Sequence, residues 1–469
     1  MQRLLVSAAH KSSGKTTLAI GLAAALRAQG LAVQPYKKGP DYIDPLWLAL
    51  AAGRPCFNLD PHLQAPEALA RSFDAALPGA DLALVEGNKG LHDGLALDGS
   101  NSNAALARQL GLPVLLVLDT RGMTRGIAPL ILGYQAFDPA VRIGGVILNR
   151  VGGARHEAKL RAVIEHYTAV PVLGAVAEDP ALGLAERHLG LPTCAEVGDA
   201  AERVQALGRA VAAQVDLARV RDLAASAGPW SSPAAAAVAL PAAPGPRLRI
   251  GIARDRAFGF YYPDDLAALQ AGGADLVFID TLHDQRLPAL DGLFIGGGFP
   301  ETAMAELQAN VALRAALRQA IESGLPTYAE CGGLMYLSRS ISWQGRRAEM
   351  VGVIPGDAVM RPRPVGRGYV QLQATAHLPW PVGGAADGIV RGHEFHHSSL
   401  EHLPPGLHYA WRVQRGHGID GRHDGLVLHN LLASYSHLRQ GAGSDWVAGF
   451  LSHLRRWRGR QQAAAARAA

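Results

Sequence analysis

The first residues able to do chemistry lie near the amino end, in Ser7 to Thr17, SAAHKSSGKTT. They follow the apolar Leu4-Leu5-Val6 and precede LAIGLAAALRAQG, a segment with helical spacing. A buried strand, a small-residue loop ending in Gly14-Lys15-Thr16 and a helix together present backbone N–H groups, an ammonium and a helix N-terminus to a polyphosphate. In such a cradle Ser12, Ser13, Gly14, Lys15, Thr16 and Thr17 contact phosphates. Lys15 reaches the β- and γ-phosphates, and the Thr16 hydroxyl ligates Mg²⁺. Ala9 stands where G-x-x-x-x-G-K-[ST] has its first Gly, so a Ser-rich turn opening an ordinary helix is the plainer alternative.

Two further stretches have chemistry to offer the same phosphates. Leu31 to Pro35 reads as a short strand running into YKKGPDYIDP, a charged loop with Lys37, Lys38, Asp41 and Asp44. The strand DLALV, Asp81 to Val85, ends in Glu86-Gly87 and is followed by a loop holding Asp93. Charge at the carboxyl end of a buried strand is where open α/β sheets keep their chemistry, and Glu86 is placed to be a second Mg²⁺ ligand. Asn149, leaving another strand, suits either an adenine edge or a strand-end cap.

A third candidate is a nucleophile. In Ala329-Glu330-Cys331-Gly332-Gly333 a cysteine stands between a strand and a new apolar helix, LMYLSRSI. Small neighbours let such a side chain project and let the next N–H, that of Gly332, hold an oxyanion. Gly296-Gly297-Gly298, after another strand, offers backbone for a second donor. A buried inert thiol is the bland alternative. A thiol needs a histidine to take its proton, and His393, His396, His397, His423, His429 and His437 all lie downstream. Spacing does not choose among them, and GHEFHHS lacks the H-E-x-x-H zinc pattern.

The elements that must position these residues read as two α/β halves. The chain has 469 residues, 49% apolar and 18% charged, more than a single hydrophobic core accommodates. Apolar runs at Leu112 to Asp119, Val141 to Asn149 and Val172 to Val176 alternate with Ala-rich helical segments, including Asn103 to Leu110 and Glu157 to Ile164. This alternation predicts doubly wound, mostly parallel sheets. The alternation restarts at Leu248 to Ala253, Asp275 to Asp280 and Gly292 to Ile295. The boundaries expected are 1–223, a Pro/Ala-rich linker over 224–246, a second domain over 247–458 and a low-complexity, frayed tail over 459–469.

The excess of 45 Lys+Arg over 40 Asp+Glu is too small over this length to point to nucleic acid, though it suits a substrate with many carboxylates. Three scattered cysteines suggest no disulfide framework or zinc site, and no apolar run reaches membrane-spanning length. A soluble cytoplasmic enzyme is expected, without a membrane or nucleic-acid partner.

KKGPDYIDP, VEG followed by GLHDG, LNRV, GGGFPE, AECGGLMYL, GHEFHHS and SYSHL, in this order, resemble the cobyrinate a,c-diamide synthase family. The resemblance implies an ATP-dependent amidoligase domain of dethiobiotin-synthetase type followed by a class I-like glutaminase domain. Glutamine is hydrolysed in the second, and ammonia attacks an acyl phosphate made from ATP in the first, at the a and c acetates of cobyrinate or hydrogenobyrinate. Carried over residue by residue, Cys331 resembles the glutaminase nucleophile and His437 its base, with Gly297, Gly298 and Gly332 at the oxyanion. Ser12 to Thr17, Lys37, Lys38 and Asn149 fall on the ATP site. Thr16, Glu86 and Asp41 resemble Mg²⁺ ligands, and Asp41, Tyr42, Asp44 and Asp93 line the substrate and acyl-phosphate site.

Two departures stand out. Ala9 is one; the other is Arg439, since many class I glutaminases carry a carboxylate two residues after the histidine. Amidation of another tetrapyrrole, sirohaem or a nickel sirohydrochlorin, is the neighbouring possibility. A partition-type nucleotide switch is the remote one, having no need of Cys331, His437 or the DYID loop. A homodimer fits two-domain enzymes of this kind.

Overall fold

A computed structural model describes residues 1–179, 192–231, 246–383, 388–441 and 444–468. The chain divides into two compact units, Met1–Ala235 and Ala236–Ala469. The expected linker lies largely outside the described residues, and its first two residues belong instead to a helix that ends at Ala225.

The first unit is a seven-stranded, wholly parallel sheet. Its strands are β1 (Gln2–Ala8), β2 (Val33–Lys38), β3 (Phe57–Leu59), β4 (Leu82–Glu86), β5 (Val114–Asp119), β6 (Ile143–Val151) and β7 (Val172–Ala177), in the order β3-β2-β4-β1-β5-β6-β7. Helices α1 (Lys15–Ala28), α2 (Ile43–Ala52), α3 (Pro66–Ala75), α4 (Asn103–Leu110), α5 (Ile127–Phe137), α6 (Ala154–Tyr167), α7 (Ala200–Gln214) and α8 (Leu217–Ala225) cover it. Apolar clusters on its two faces, one including Leu4, Leu115 and Val204 and the other Leu5, Leu116 and Ile164, explain why the strands read as continuous apolar runs. One strand differs from expectation. β2 continues through Lys37 and Lys38, which the sequence reading put in a loop, because Lys37 pairs in register with Glu86 of β4. A buried carboxylate beside it makes a strand lysine tolerable.

The second unit is built on a nine-stranded mixed sheet. Its parallel half contains β8 (Leu248–Ala253), β10 (Ala274–Ile279), β11 (Gly292–Ile295), β13 (Thr327–Glu330) and β22 (Leu431–Ser434). An antiparallel half then continues from β22 through β21 (His423–Leu428), β20 (His408–Arg415) and β17 (Gly366–Ala374) to β18 (Ile389–His396). Small ribbons, β9 (Phe258–Phe260) with β12 (Gly297–Gly298) and β14 (Ser338–Trp343) with β15 (Arg346–Glu349), β16 (Ile354–Met360) and β19 (Ser398–Glu401), flank it. Helices α9 (Pro263–Ala271), α10 (Met304–Ala309), α11 (Val311–Glu322), α12 (Gly332–Leu337) and α13 (Trp446–Ala468) complete the unit. The tail expected to fray is the end of α13. Its Ala-rich composition, which lacks a core-facing period, is also the composition with the highest helix propensity, and it extends a helix already anchored by packing.

The anchor is aromatic. Trp446 is fully buried, its ring 5.2 Å from Phe294, 5.0 Å from Tyr328 and 6.2 Å from Phe450. Among the described residues no helix is long and apolar enough to cross a membrane. Removing the indole should leave a cavity that this cluster cannot close. Trp446→Ala is therefore expected to lower unfolding free energy by about 3–5 kcal/mol, measured by denaturant titration.

Candidate active site

Each unit gathers reactive side chains at the carboxyl ends of its parallel strands. In the second unit β13 ends in Glu330, and the chain turns at Cys331 with φ +47° before α12 begins. A non-glycine residue in this region is strained. The turn is held by Cys331 N–H donating to Ser434 O at 2.7 Å and by a helix whose six residues are all buried. Close approach explains the glycines. A Cβ on Gly332 would stand 2.9 Å from Gly298 N, one on Gly333 2.2 Å from Ile295 O, and one on Gly298 1.9 Å from Ala257 O. Gly298 N and the turn after Cys331 are thus neighbours, the arrangement an oxyanion needs.

Of the six histidines that spacing could not rank, it is His437 whose imidazolium the Cys331 thiol favours, the sulfur itself lying 3.9 Å from Phe395 O. A Cβ on Gly297 would come within 2.8 Å of its Cε1, so Gly297 serves by making room for the imidazole. The backbones of His437 and His393 pair, with N–H donating to O at 2.8 and 3.2 Å, and their rings stack at 4.9 Å. The carboxylate missing from position 439 is supplied from elsewhere. Glu330 Oε2 lies 3.2 Å from His437 Nδ1, while its Oε1 accepts Tyr328 OH at 2.6 Å and Leu438 N–H at 3.0 Å. Because a carboxylate only accepts, Nδ1 carries the proton and Nε2 is left for the thiol. Burial alone would push the imidazolium down. The hydrogen bonds to Cys331 and Glu330, with their charges, outweigh it and raise His437 to about 10. Arg439 instead turns to Asp264, donating from Nε at 2.9 Å.

Sequence reasoning missed Glu330, although it precedes the nucleophile. The usual search looks near the histidine, and only strand pairing of β13 with β22 brings residues 330 and 437 together.

In the first unit the loop after β1 leads into α1, whose N-cap Gly14 has φ +83° and whose first turn holds no acid. The helix end is open to an anion. Ala9 fits because it does not share the positive φ of Ser12 and Gly14, and its carbonyl accepts the Tyr134 hydroxyl. Ser13 Oγ donates to His10 O at 2.8 Å, and Thr17 follows in the first turn of α1. Asn149 Nδ2 donates to Ser13 O at 2.8 Å and Arg150 to Ser12 O at 2.8 Å. One N–H of the Asn149 amide thus ties down the loop backbone, which also explains Gly14, whose Cβ would stand 2.1 Å from that nitrogen.

Lys15, Thr16, Lys37, Asp41, Asp44 and Glu86 converge. Glu86 Oε1 accepts Thr16 Oγ1 at 2.6 Å and Lys15 Nζ at 2.7 Å, and lies 3.1 Å from the Lys37 ammonium. Lys37 also pairs with Asp44 and lies 3.7 Å from Asp41. Burial pushes the Lys37 ammonium down, and Asp44, Glu86 and Asp41 more than reverse it. Burial and Asp44 hold Asp41 up at about 7 against Lys37, whereas Asp44, also pressed up by burial, is drawn below its usual range by Lys37 and Lys15. Tyr42 caps α2 beside this cluster. Lys38 and Asp93 are not brought into it: Lys38 bonds Asn88 and Asn101, and the exposed Asp93 accepts Gly90 N–H at 2.9 Å. Among the described residues no three His, Cys, Asp or Glu side chains form a metal cage.

Glu330→Gln keeps the shape of the hydrogen bond but removes the charge that favours the imidazolium. The glutamine hydrolysis that the sequence resemblance implies is expected to fall by about two orders of magnitude or more, the scale seen when a triad carboxylate is neutralised. The alkaline limb of its pH–rate profile should move to lower pH, and an unchanged profile would dismiss Glu330 from this role.

Comparison with known proteins assigns a family to each half of the chain. Residues 5–191 match the CobQ/CobB/MinD/ParA nucleotide binding domain, and residues 249–443 match the CobB/CobQ-like glutamine amidotransferase domain. The cobyrinate a,c-diamide synthase of Magnetococcus marinus is 47% identical, over 97% of this chain and 98% of its own. That of Methanosarcina acetivorans is 41% identical over 93% and 92%, and that of Methanosarcina barkeri 39% over 97% and 96%. With a nucleotide-binding half, a glutamine amidotransferase half and this likeness along almost its full length, the chain belongs to the cobyrinate a,c-diamide synthase family of glutamine-dependent ligases.

Proposed function

We propose that this protein amidates the a and c acetate carboxylates of cobyrinate or hydrogenobyrinate, using ATP and the nitrogen of glutamine. The observation that carries the reading is the Cys331–His437–Glu330 constellation, because an activated thiol with its base and orienting carboxylate is what taking ammonia from the glutamine amide requires. Cys331 passes its thiol proton to His437 Nε2 as its sulfur attacks the glutamine amide carbon, and the N–H groups of Gly298 and Gly332 receive the developing oxyanion. His437 gives its Nε2 proton to the departing nitrogen, releasing ammonia and leaving a thioester. Water, deprotonated by His437, then frees glutamate.

In the nucleotide-binding half the substrate carboxylate attacks the γ-phosphorus and ADP leaves. Ammonia displaces phosphate from the acyl phosphate to give the amide. Lys15 and Lys37 stabilise the transferring phosphoryl group, a role for which fixed cations are suited. Asp41, Tyr42, Asp44 and Asp93 line the substrate side. Thr16 and Glu86, with Asp41, would hold Mg²⁺, which neutralises phosphate charge when bound. Glu86 Oε2, buried and without a hydrogen bond, suits that ion, and Mg²⁺ needs only one or two protein carboxylates. ATP, Mg²⁺, glutamine and a corrin polycarboxylate are therefore the reactants, and the cytoplasm, where ATP is made, is their natural compartment.

The test is product mass after incubation with ATP, Mg²⁺, glutamine and, separately, cobyrinic acid, hydrogenobyrinic acid, sirohaem and nickel sirohydrochlorin. A decrease of about one mass unit per carboxylate is expected for the first two, since hydroxyl is exchanged for amine. No change with any of them would sink the reading. Cys331→Ala should abolish glutamine-dependent amidation and spare that supported by ammonium salts, whereas Glu86→Gln should stop both; normal amidation by the Glu86 variant would remove it from the phosphoryl site.

A further inference from the structure

Successive strand residues face opposite sides, so Lys37 and Lys38 at the end of β2 part company. Lys37 goes to the carboxylates beside the phosphate loop, while Lys38 is directed to the segment between β4 and α4. Lys38 is only 4% exposed. Its Nζ donates to two neutral oxygens, Asn88 Oδ1 at 3.1 Å and the Asn101 carbonyl, and forms no ion pair with a carboxylate among the described residues. An ammonium has three N–H donors, and the third has no partner there.

A buried charge without a counter-charge is costly, and structures ordinarily pair it or neutralise it. A neutral donor would serve as well if the side chain only tied the segment down. Burial lowers Lys38 to about 8, with Asp60 opposing and the Lys89 and Lys37 charges pushing the same way as burial. Asp60, the acid whose charge opposes that fall, forms no ion pair with Lys38 and accepts at Oδ1 the N–H groups of His62 and Leu63, at 2.9 and 3.3 Å. Lys89 is a second cation beside it, exposed, at φ +43° in the turn that leaves β4. Along the chain Lys38 directly precedes the segment holding Asp41, Tyr42 and Asp44, and Lys89 the one holding Asp93.

We propose that Lys38 and Lys89 form an anion site for a second carboxylate of the substrate, one that is not being phosphorylated and whose capture selects which acetate reaches the phosphoryl group. This rests on the proposed function and adds a determinant of regiospecificity to it. A polycarboxylic macrocycle must be held by acids other than the reacting one, and a buried ammonium with a spare donor gives such an acid a charge-assisted hydrogen bond.

The experiment compares the full-length protein with Lys38→Met, Lys38→Arg and Lys89→Glu, using cobyrinic acid and ammonium salts so that the glutaminase step does not intervene. Lys38→Met is expected to raise KM for cobyrinic acid roughly ten- to hundredfold, the worth of one hydrogen bond to a charged group. KM for ATP should hold, and kcat should change less than KM. Lys38→Arg should recover most of the loss, and Lys89→Glu, on an exposed side chain that folding does not need, should raise the same KM. Direct titration of cobyrinic acid by its absorbance should show the same order of affinities without turnover. Wild-type KM for cobyrinic acid in both Lys38→Met and Lys89→Glu would overturn the site. A rise in KM for ATP alone would assign the anion to nucleotide phosphate and overturn it too. Failure of the unaltered protein to amidate any tetrapyrrole is a different result, which removes the proposed function first and this inference with it.

Discussion

A cysteine held in the left-handed region between a buried strand and a buried helix is the constraint on which the second unit depends. A residue so placed costs of order 1–3 kcal/mol, and it persists only where the surroundings over-determine it. Here they do so through the Ser434 carbonyl that fixes the Cys331 N–H and through close approach that only glycine at 298, 332 and 333 permits. The same turn brings Glu330 alongside the histidine, so nucleophile, base and orienting carboxylate come from two neighbouring strands. That is a short and stiff connection, which suits a triad whose geometry must be set before substrate arrives.

The first unit solves a related problem with charge. Lys37 is 2% exposed and Glu86 fully buried, and neither would be tolerable alone. Together with Lys15, Asp44 and Asp41 they form a network in which each cation has carboxylate partners. An open helix end and a carboxylate oxygen without a hydrogen bond face the same place, so the network is balanced in itself and still able to take a phosphate and its cation.

Much of this was legible because parallel strands buried on both faces are written as apolar runs. Leu248–Ala253 and Gly292–Ile295 fall where their runs do, and Asn103–Leu110 is a helix over the residues whose spacing foretold it. The antiparallel half of the second sheet was not readable in the same way. Its strands alternate, as β17 does with its interleaved Gln371 and Gln373, and are set among loops with irregular polarity. The Ala-rich tail misled for the opposite reason, since a composition without amphipathic period still makes helix when a packed helix runs into it.

Local order along the chain determined the chemistry on offer: a small-residue loop before a helix for phosphate, a cysteine followed by two glycines for nucleophilic attack, and acids at strand ends. Those features need only near neighbours, so a linear text can state them. Tertiary structure alone decided which partners they would have. It picked His437 from six histidines, replaced the expected carboxylate with Glu330, tied Asn149 to the phosphate loop and sent the adjacent lysines 37 and 38 to opposite tasks. The reason is that strand pairing and the two-residue alternation of a sheet join positions a hundred residues apart, through contacts that no spacing rule along the chain encodes.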